Sequence, residues 1–307
     1  VTSIGSYAFS KCELLKQIFI PPNVTSIGSY AFSKCVLLSH ITIPPNVTSI
    51  ESYAFSDCSS LTKVSIFSSE TSFGECVFDN CIKLTDVEMD PFVSDIPSDF
   101  FRGCNSLKNL SILAKNWQIK EKNINIISKF TNIKIKSQIN SIEQRSFCKC
   151  TLLAQINIPS SVRLIDVSAF EGCSSLVQIK MPSSVTMIGN YAFAYCTSLK
   201  QIEISPSVTS IGNNVFSGCS SLTQITIPSS VTSIGNNAFS ECSSLTQVTI
   251  PNSVEFISNN AFSNCSSLLQ IEIPSSVVYI GEFSFYKCTS LTQITIPSSV
   301  IEIAQHS

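Results

Sequence analysis

Apolar positions return along this chain at the same offsets every 23 residues. Rows of that length begin at Val1, Val24, Val47, Glu70, Val93, Asn116, Ile139, Val162, Val185, Val208, Val231, Val254, Val277 and Val300, and the register never slips. With positions in a row numbered as slots, the apolar ones are 1, 4, 8, 9, 12, 15, 18 and 20; Val231 to Ser253 shows the pattern nearly intact. A unit this short cannot bury its apolar side alone, so neighbouring units must stack and share one core.

The end of each row, as in Leu222, Ile225 and Ile227, alternates in and out, which predicts a short strand with its isoleucines inward. Proline in slot 21, such as Pro228 and Pro251, cannot donate to a ladder and marks the end of the strand. Spacings of three and four through slots 1 to 15 predict a helical turn or two on the opposite, convex side, with Gly in slot 5 relaxing its start. Asn116 to Gln138 lacks the Ala-Phe pair and the Cys, yet Ile119, Ile124, Ile127, Phe130, Ile133 and Ile135 keep its core slots filled. The expectation is a single domain over 1–307, a leucine-rich-repeat solenoid of thirteen coils with one parallel concave sheet, irregular over 70–138. It opens and closes in mid-pattern, so it reads as a fragment of a longer protein.

Composition narrows the function. The chain is 44% hydrophobic and 13% charged, with net charge -2, which gives no basic footprint for nucleic acid. Its longest uninterrupted apolar runs are too short for a membrane-spanning helix, which needs about 20 residues. No membrane insertion by this segment is expected.

The run Cys219 to Cys242, read as Cys-x-x-Leu-x-x-Ile-x-Ile-Pro-x-x-Val-x-x-Ile-x-x-x-Ala-Phe-x-x-Cys, resembles the BspA-type leucine-rich repeats of bacterial and protist surface proteins. The match covers the whole chain, and enrichment in Asn, Ile and Lys between Lys115 and Asn140 suits a protist, trichomonad-like origin. The resemblance implies cell-surface or secreted location and attachment to host cells or matrix proteins, and carries over no catalytic residue. Rows three to six depart from it in slots 5 and 21, through Glu51, Pro97, Lys120, Phe67, Asp90, Leu113 and Lys136.

Twelve of the fourteen cysteines occupy slot 12, forming a ladder of parallel side chains that do not converge for disulfides or for a tetrahedral metal. Buried thiols acting as small apolar groups are expected there, and Ile127 in the remaining rung agrees. Cys76 and Cys148 lie off the ladder and are expected to be exposed.

Slot 17 faces outward and holds Gln155, Gln178, Gln201, Gln224, Gln247, Gln270 and Gln293 in seven successive rows. Their amides either bond up the stack or offer, with neighbouring threonines, a neutral strip to a protein or glycan ligand. Charge is segregated further back: from Glu70 to Asp99 there are eight acids and one base, and from Arg102 to Lys136 eight bases and one acid. Asp86, Glu88 and Asp90 alternate on one strand and share the outward face with Lys134 and Lys136. The three carboxylates suit a basic patch on a partner or a Ca2+ ion; the alternative is drift, with opposite charges pairing across coils. Phe19, Phe67, Phe92 and Trp117 are large apolar residues in outward slots, Phe67 and Phe92 bordering the acids.

With two histidines, His40 and His306, and no phosphate-cradling Gly motif, no catalytic constellation emerges and no cofactor is expected. Sequons stand at Asn23, Asn46, Asn109 and Asn264. The leading reading is a non-catalytic adhesion module; the alternative is an intracellular protein-interaction scaffold. End-to-end self-association through uncapped terminal coils is a third possibility.

Overall fold

The computed structural model describes residues 1–68, 70–89, 95–113 and 123–307. It is a parallel-stranded solenoid of about twelve turns, divided into two compact units, 1–137 and 138–307. Asp90, Phe92, Trp117 and Ile119 lie outside the described residues.

In the first unit the strands His40–Ile43, Lys63–Ile66, Asp86–Met89, Asn109–Ile112 and Asn132–Ile135 pair in parallel, each residue facing its counterpart 23 positions on. In the second, Gln178–Ile179 pairs with Gln201–Ile202, and Gln224–Thr226, Gln247–Thr249, Gln270–Glu272 and Gln293–Thr295 continue the same register. Isoleucines of slots 18 and 20 turn inward, as Ile41 and Ile43 do at 1% and 0% exposure. Where slot 21 holds proline it ends the strand, and its carbonyl accepts the amide of slot 1, as Pro44 does from Val47.

A second set of parallel ladders, two residues wide, runs through slots 3 and 4: Ser3–Ile4, Ser26–Ile27, Ser49–Ile50 and Ser72–Phe73 in the first unit, and Ser210–Ile211 through Glu302–Ile303 in the second. Two residues are too few to show a period of two, so the pattern of the sequence does not announce them.

The wall opposite the sheet differs from the expected helical turns. Among the described residues one α-helix occurs, Ile124–Ile127. Elsewhere the wall is a chain of tight turns in which amides alternate in direction. In the second row Ala31, Ser33 and Cys35 bond back three residues within their own coil, while Tyr30, Phe32 and Lys34 donate to Ser52, Ala54 and Ser56 of the next. A helix would spend every amide internally. The alternation needs left-handed backbone at slots 7 and 11, as at Tyr30 (φ 55°) and Lys34 (φ 61°). Glycine satisfies slot 11 without strain at Gly103, Gly172 and Gly218. Ile126 occupies that slot in row six, and a β-branched side chain resists positive φ, which explains why the helix forms there.

Slot-5 glycine also has a different reason from the one expected. A Cβ on Gly189 would lie 2.5 Å from the backbone nitrogen of Val167 in the preceding coil, so the residue answers close approach between coils.

Stacking repeats every core side chain against its own copy. Phe147, Phe170, Phe193, Phe216, Phe239 and Phe262 form a continuous column with ring centroids 5.3 to 5.7 Å apart and nearly parallel planes, the offset geometry aromatic rings favour. All fourteen cysteines are present as thiols. The rung cysteines do more than fill volume: among the described residues ten of them donate their S–H to the slot-9 carbonyl of the coil before, as Cys219 does to Phe193 at 3.2 Å. Cys76, expected at the surface, is 1% exposed, and Asp99 one coil on accepts its S–H at 3.0 Å. Cys148 is partly exposed.

Two outcomes are expected. Glu241 holds φ 62°, so Glu241→Gly removes a left-handed strain and should raise stability by about 1 kcal/mol, read from urea unfolding. Burial pushes the thiols of Cys150 and Cys219 up to about 12. The unfolded chain ionises its thiols near the ordinary value of about 8.5 while the folded chain does not. Stability is therefore intact below that value and falls as pH rises towards about 12, by up to about 1.4 kcal/mol per pH unit for each of these two thiols. Under reducing conditions the thermal midpoint should fall steeply between about pH 9 and 11, and replacing Cys196, Cys219 and Cys242 together by Ala should flatten that fall.

Candidate binding surface

The outward faces of the sheets carry the slots that vary. In the second unit the seven slot-17 glutamines, from Gln155 to Gln293, are all exposed. Consecutive members face each other in register, as Gln224, Gln247 and Gln270 do. No hydrogen bond joins one glutamine amide to the next among the described residues, so their donors and acceptors point to solvent. The side-chain ladder that does bond up the stack lies elsewhere: Asn190, Asn213, Asn236 and Asn259 in slot 6 each accept, through Oδ1, the backbone amide one coil on at 2.8 to 3.1 Å. Threonines of slot 16 do likewise through their hydroxyls, Thr246 donating to the Thr223 carbonyl at 3.1 Å.

In the first unit the acids are already engaged. Asp86 accepts from Asn109 Nδ2 at 2.9 Å and from Thr85 Oγ1 at 2.5 Å, and Asn132 Nδ2 bonds on to Asn109 Oδ1 at 2.9 Å. Glu88 accepts from Ser65 Oγ at 3.3 Å and forms an ion pair with Lys136 two coils away. The Lys136 ammonium beside it holds the Glu88 carboxyl below the usual range, against the opposing effect of burial. Arg102 grips Asp79 through both its Nε and Nη2 at 2.8 and 2.7 Å. The segregated charges thus close on one another across coils. Lys134 stays exposed on its strand. Among the described residues no group of three or more His, Cys, Asp or Glu could hold a metal ion; Asp90, the third acid of the Ca2+ candidate, lies outside them.

Phe67 does not stand by itself. It is 47% exposed and shares with Phe19, 81% exposed, an open groove of about 670 Å³ walled by Pro22, Pro44 and Pro45 and bounded by His40. Both phenylalanines were legible as outward apolar residues; the doubled prolines Pro21-Pro22 and Pro44-Pro45 were the unused signal that they share a wall. His40 Nδ1 lies 3.1 Å from the Ser39 hydroxyl. No helix among the described residues is long and apolar enough to cross a membrane.

Stacked coils with a regular outward sheet face define a leucine-rich-repeat scaffold, a protein-binding fold. The chain belongs to the BspA-type leucine-rich-repeat family: the BspA type leucine rich repeat region matches residues 2–129, 118–244 and 209–307. Among solved structures it is similar to a leucine-rich repeat protein from Bacteroides ovatus, 26% identical over 97% of this chain and 83% of that one, with a TM-score of 0.52. One from Eubacterium ventriosum, at 21% identity over 97% and 85% with a TM-score of 0.52, shares the fold. A leucine rich repeat protein of T. pallidum is 30% identical over 53% of this chain and 78% of that one, with a TM-score of 0.49. No curated protein matches the chain.

Lys136→Met should move the Glu88 carboxyl upward, because burial would then act without the compensating cation. The pair stabilises the fold above the ordinary carboxylate range, and that contribution disappears as pH falls through the lowered Glu88 value. At neutral pH the loss should be at most about 1 kcal/mol, as for other partly exposed pairs. A chemical-shift titration of Glu88 that does not move in the variant would show that Lys136 does not set its acidity.

Proposed function

We propose that this chain is an adhesion module, placed on the cell surface or secreted, which attaches to host cells or matrix proteins through the outward face of its sheets. The observation that carries the reading is the strip of exposed glutamines with Gln201, Gln224 and Gln247 at its centre. Their amides are not consumed by the fold, whereas the neighbouring Asn and Thr ladders are. A row of neutral donors and acceptors at strand spacing suits the polar surface of a folded protein or of a glycan. Membership of a family of binding scaffolds supports it. Asp86, Glu88, Phe67, Lys134 and Lys136 are the second candidate patch, Asp90 lying outside the described residues, and it is weaker because Asp86 and Glu88 already have partners.

A second reading, an intracellular interaction scaffold, draws on the fourteen thiols, since reduced cysteines suit a reducing compartment. Burial of the rungs makes them compatible with either compartment. Glycans on Asn23 or Asn46 in protein isolated from its source would favour the extracellular reading.

The test is binding of the purified chain to host-cell surfaces and a panel of matrix proteins. Changing Gln201, Gln224 and Gln247 together to Ala should weaken binding by roughly tenfold or more, at about 1 kcal/mol per lost hydrogen bond, without shifting the thermal midpoint. Binding that survives this change but is lost on changing Asp86 and Glu88 to Ser would move the site to the first unit. Absence of binding across the panel would turn the search to cytosolic partners.

A further inference from the structure

The Asn-x-Ser/Thr motifs of the chain differ in what the fold leaves of their amides. Slot 23 is the informative column. In the second unit it holds serine, and Ser184, Ser230 and Ser253 each donate their hydroxyl to the slot-1 carbonyl 22 residues back, at 2.6, 2.6 and 2.5 Å. These serines are partly buried and their hydroxyls are spent within the stack. Asn46 holds the same slot in row two, which pairs in register with the rows before and after it, and Asn46 is exposed. It stands at the tip of the turn Pro44-Pro45-Asn46-Val47, closed by the Val47 amide on the Pro44 carbonyl at 3.2 Å, between the strands His40–Ile43 and Ser49–Ile50.

An asparagine amide carries two N–H groups. Asn46 Nδ2 donates one to the Pro22 carbonyl at 2.8 Å, so a substituent on that nitrogen replaces one hydrogen and leaves the other for Pro22. Asn46-Val47-Thr48 has the acceptor pattern of an asparagine-linked glycan, and Thr48 is exposed as well. Asn109 has the same pattern in sequence but a different setting. It is partly buried in the strand Asn109–Ile112, where its Nδ2 donates to Asp86 Oδ1 and its Oδ1 accepts from Asn132 Nδ2, both at 2.9 Å. Its amide is clamped between the coils before and after. Asn264 is partly buried on left-handed backbone (φ 60°), with Nδ2 on the Ser263 hydroxyl at 3.1 Å. Asn23 lies in the first row, with no earlier row against it, so its exposure decides nothing.

We propose that Asn46 is an N-glycan acceptor, a modification site at which the folded chain carries an oligosaccharide, and that Asn109 is not. In the transfer, Asn46 Nδ2 forms a bond to the anomeric carbon of the oligosaccharide as that carbon's bond to the phosphate of a lipid-linked diphosphate donor breaks. The diphosphate leaves with the electron pair, and the displaced Nδ2 proton passes to a base of the transferase. Attachment precedes folding, so the fold acts afterwards, on which glycans the chain tolerates. A glycan on Asn46 projects from a turn tip into solvent, whereas one on Asn109 must be held within a strand whose amide is bonded on both sides. The proposal rests on the cell-surface or secreted reading, because such transferases act on chains that enter the secretory pathway, and it adds a site which that reading does not specify.

The experiment uses the whole chain in two forms, isolated from its source and secreted from eukaryotic cells behind an added leader. Each is treated with an amidase that removes N-glycans and leaves aspartate where a glycan-bearing asparagine stood, and the sites are read by peptide mass spectrometry. Conversion is expected at Asn46 and not at Asn109 in both forms. Asn46→Gln should lose that glycan while the secreted chain keeps its thermal midpoint, and Asn23→Gln should leave the occupancy of Asn46 unchanged. A bare Asn46 in the source protein overturns the proposal, as does a glycan on Asn109 of the folded, secreted chain. The secreted form then says which premise failed. Asn46 glycosylated there but bare in the source protein sinks the location on which the proposal rests, and Asn46 bare in both sinks the site itself.

Discussion

Every coil depends on an amide or carbonyl in the next one, 23 residues away. Within a coil the sheet strands have no partner, and on the opposite wall Tyr30, Phe32 and Lys34 send their N–H groups to Ser52, Ala54 and Ser56. Buried peptide groups without partners are costly, so an insertion of one residue would misalign both walls and the narrow ladder of slots 3 and 4. That is why row six keeps its length and core slots after losing the Ala-Phe pair and the cysteine.

Fixed register turns each slot into a column, and the column chemistry follows from what must touch its own copy. Phenylalanine stacks on phenylalanine. Cysteine fits slot 12 because it is small, apolar and still able to donate: its thiol meets the carbonyl of slot 9 one coil back, as Cys242 meets Phe216 at 3.2 Å. Alanine would lose the donor and valine would lose it as well. Asparagine fits slot 6 because its carbonyl oxygen reaches the backbone amide one coil on.

Where columns are broken, side chains become individual, and there the surface differs most between the two units. In the second, Gln, Thr and Asn repeat and the face is uniform. In the first, the charges of rows four to six close on each other, Arg102 on Asp79 and Lys136 on Glu88, and the exposed aromatic pair Phe19 and Phe67 gathers proline around it. Charged residues that are conspicuous in the sequence are thus engaged across coils, while the glutamines of slot 17 stay exposed.

By itself the sequence determined the repeat length, the core slots, the parallel strands and, in the rows that carry proline in slot 21, the strand ends, because these are set by a periodicity that is local and recurs along the chain. It also placed the rung cysteines as buried thiols, which holds except at Cys12, which is exposed, and Cys288, which is partly so, and it placed the glutamines outward. Only the tertiary structure decided how the opposite wall is built: apolar spacing of three and four fits a helix and a chain of turns equally, and the choice falls to amides that must reach the next coil. It decided that Cys76 is buried, through an aspartate 23 residues on, and that Asp86 and Glu88 are engaged, through partners one and two coils away. These pairings join residues from different coils, and a pattern read along one row carries no information about which side chains the stacking will set face to face.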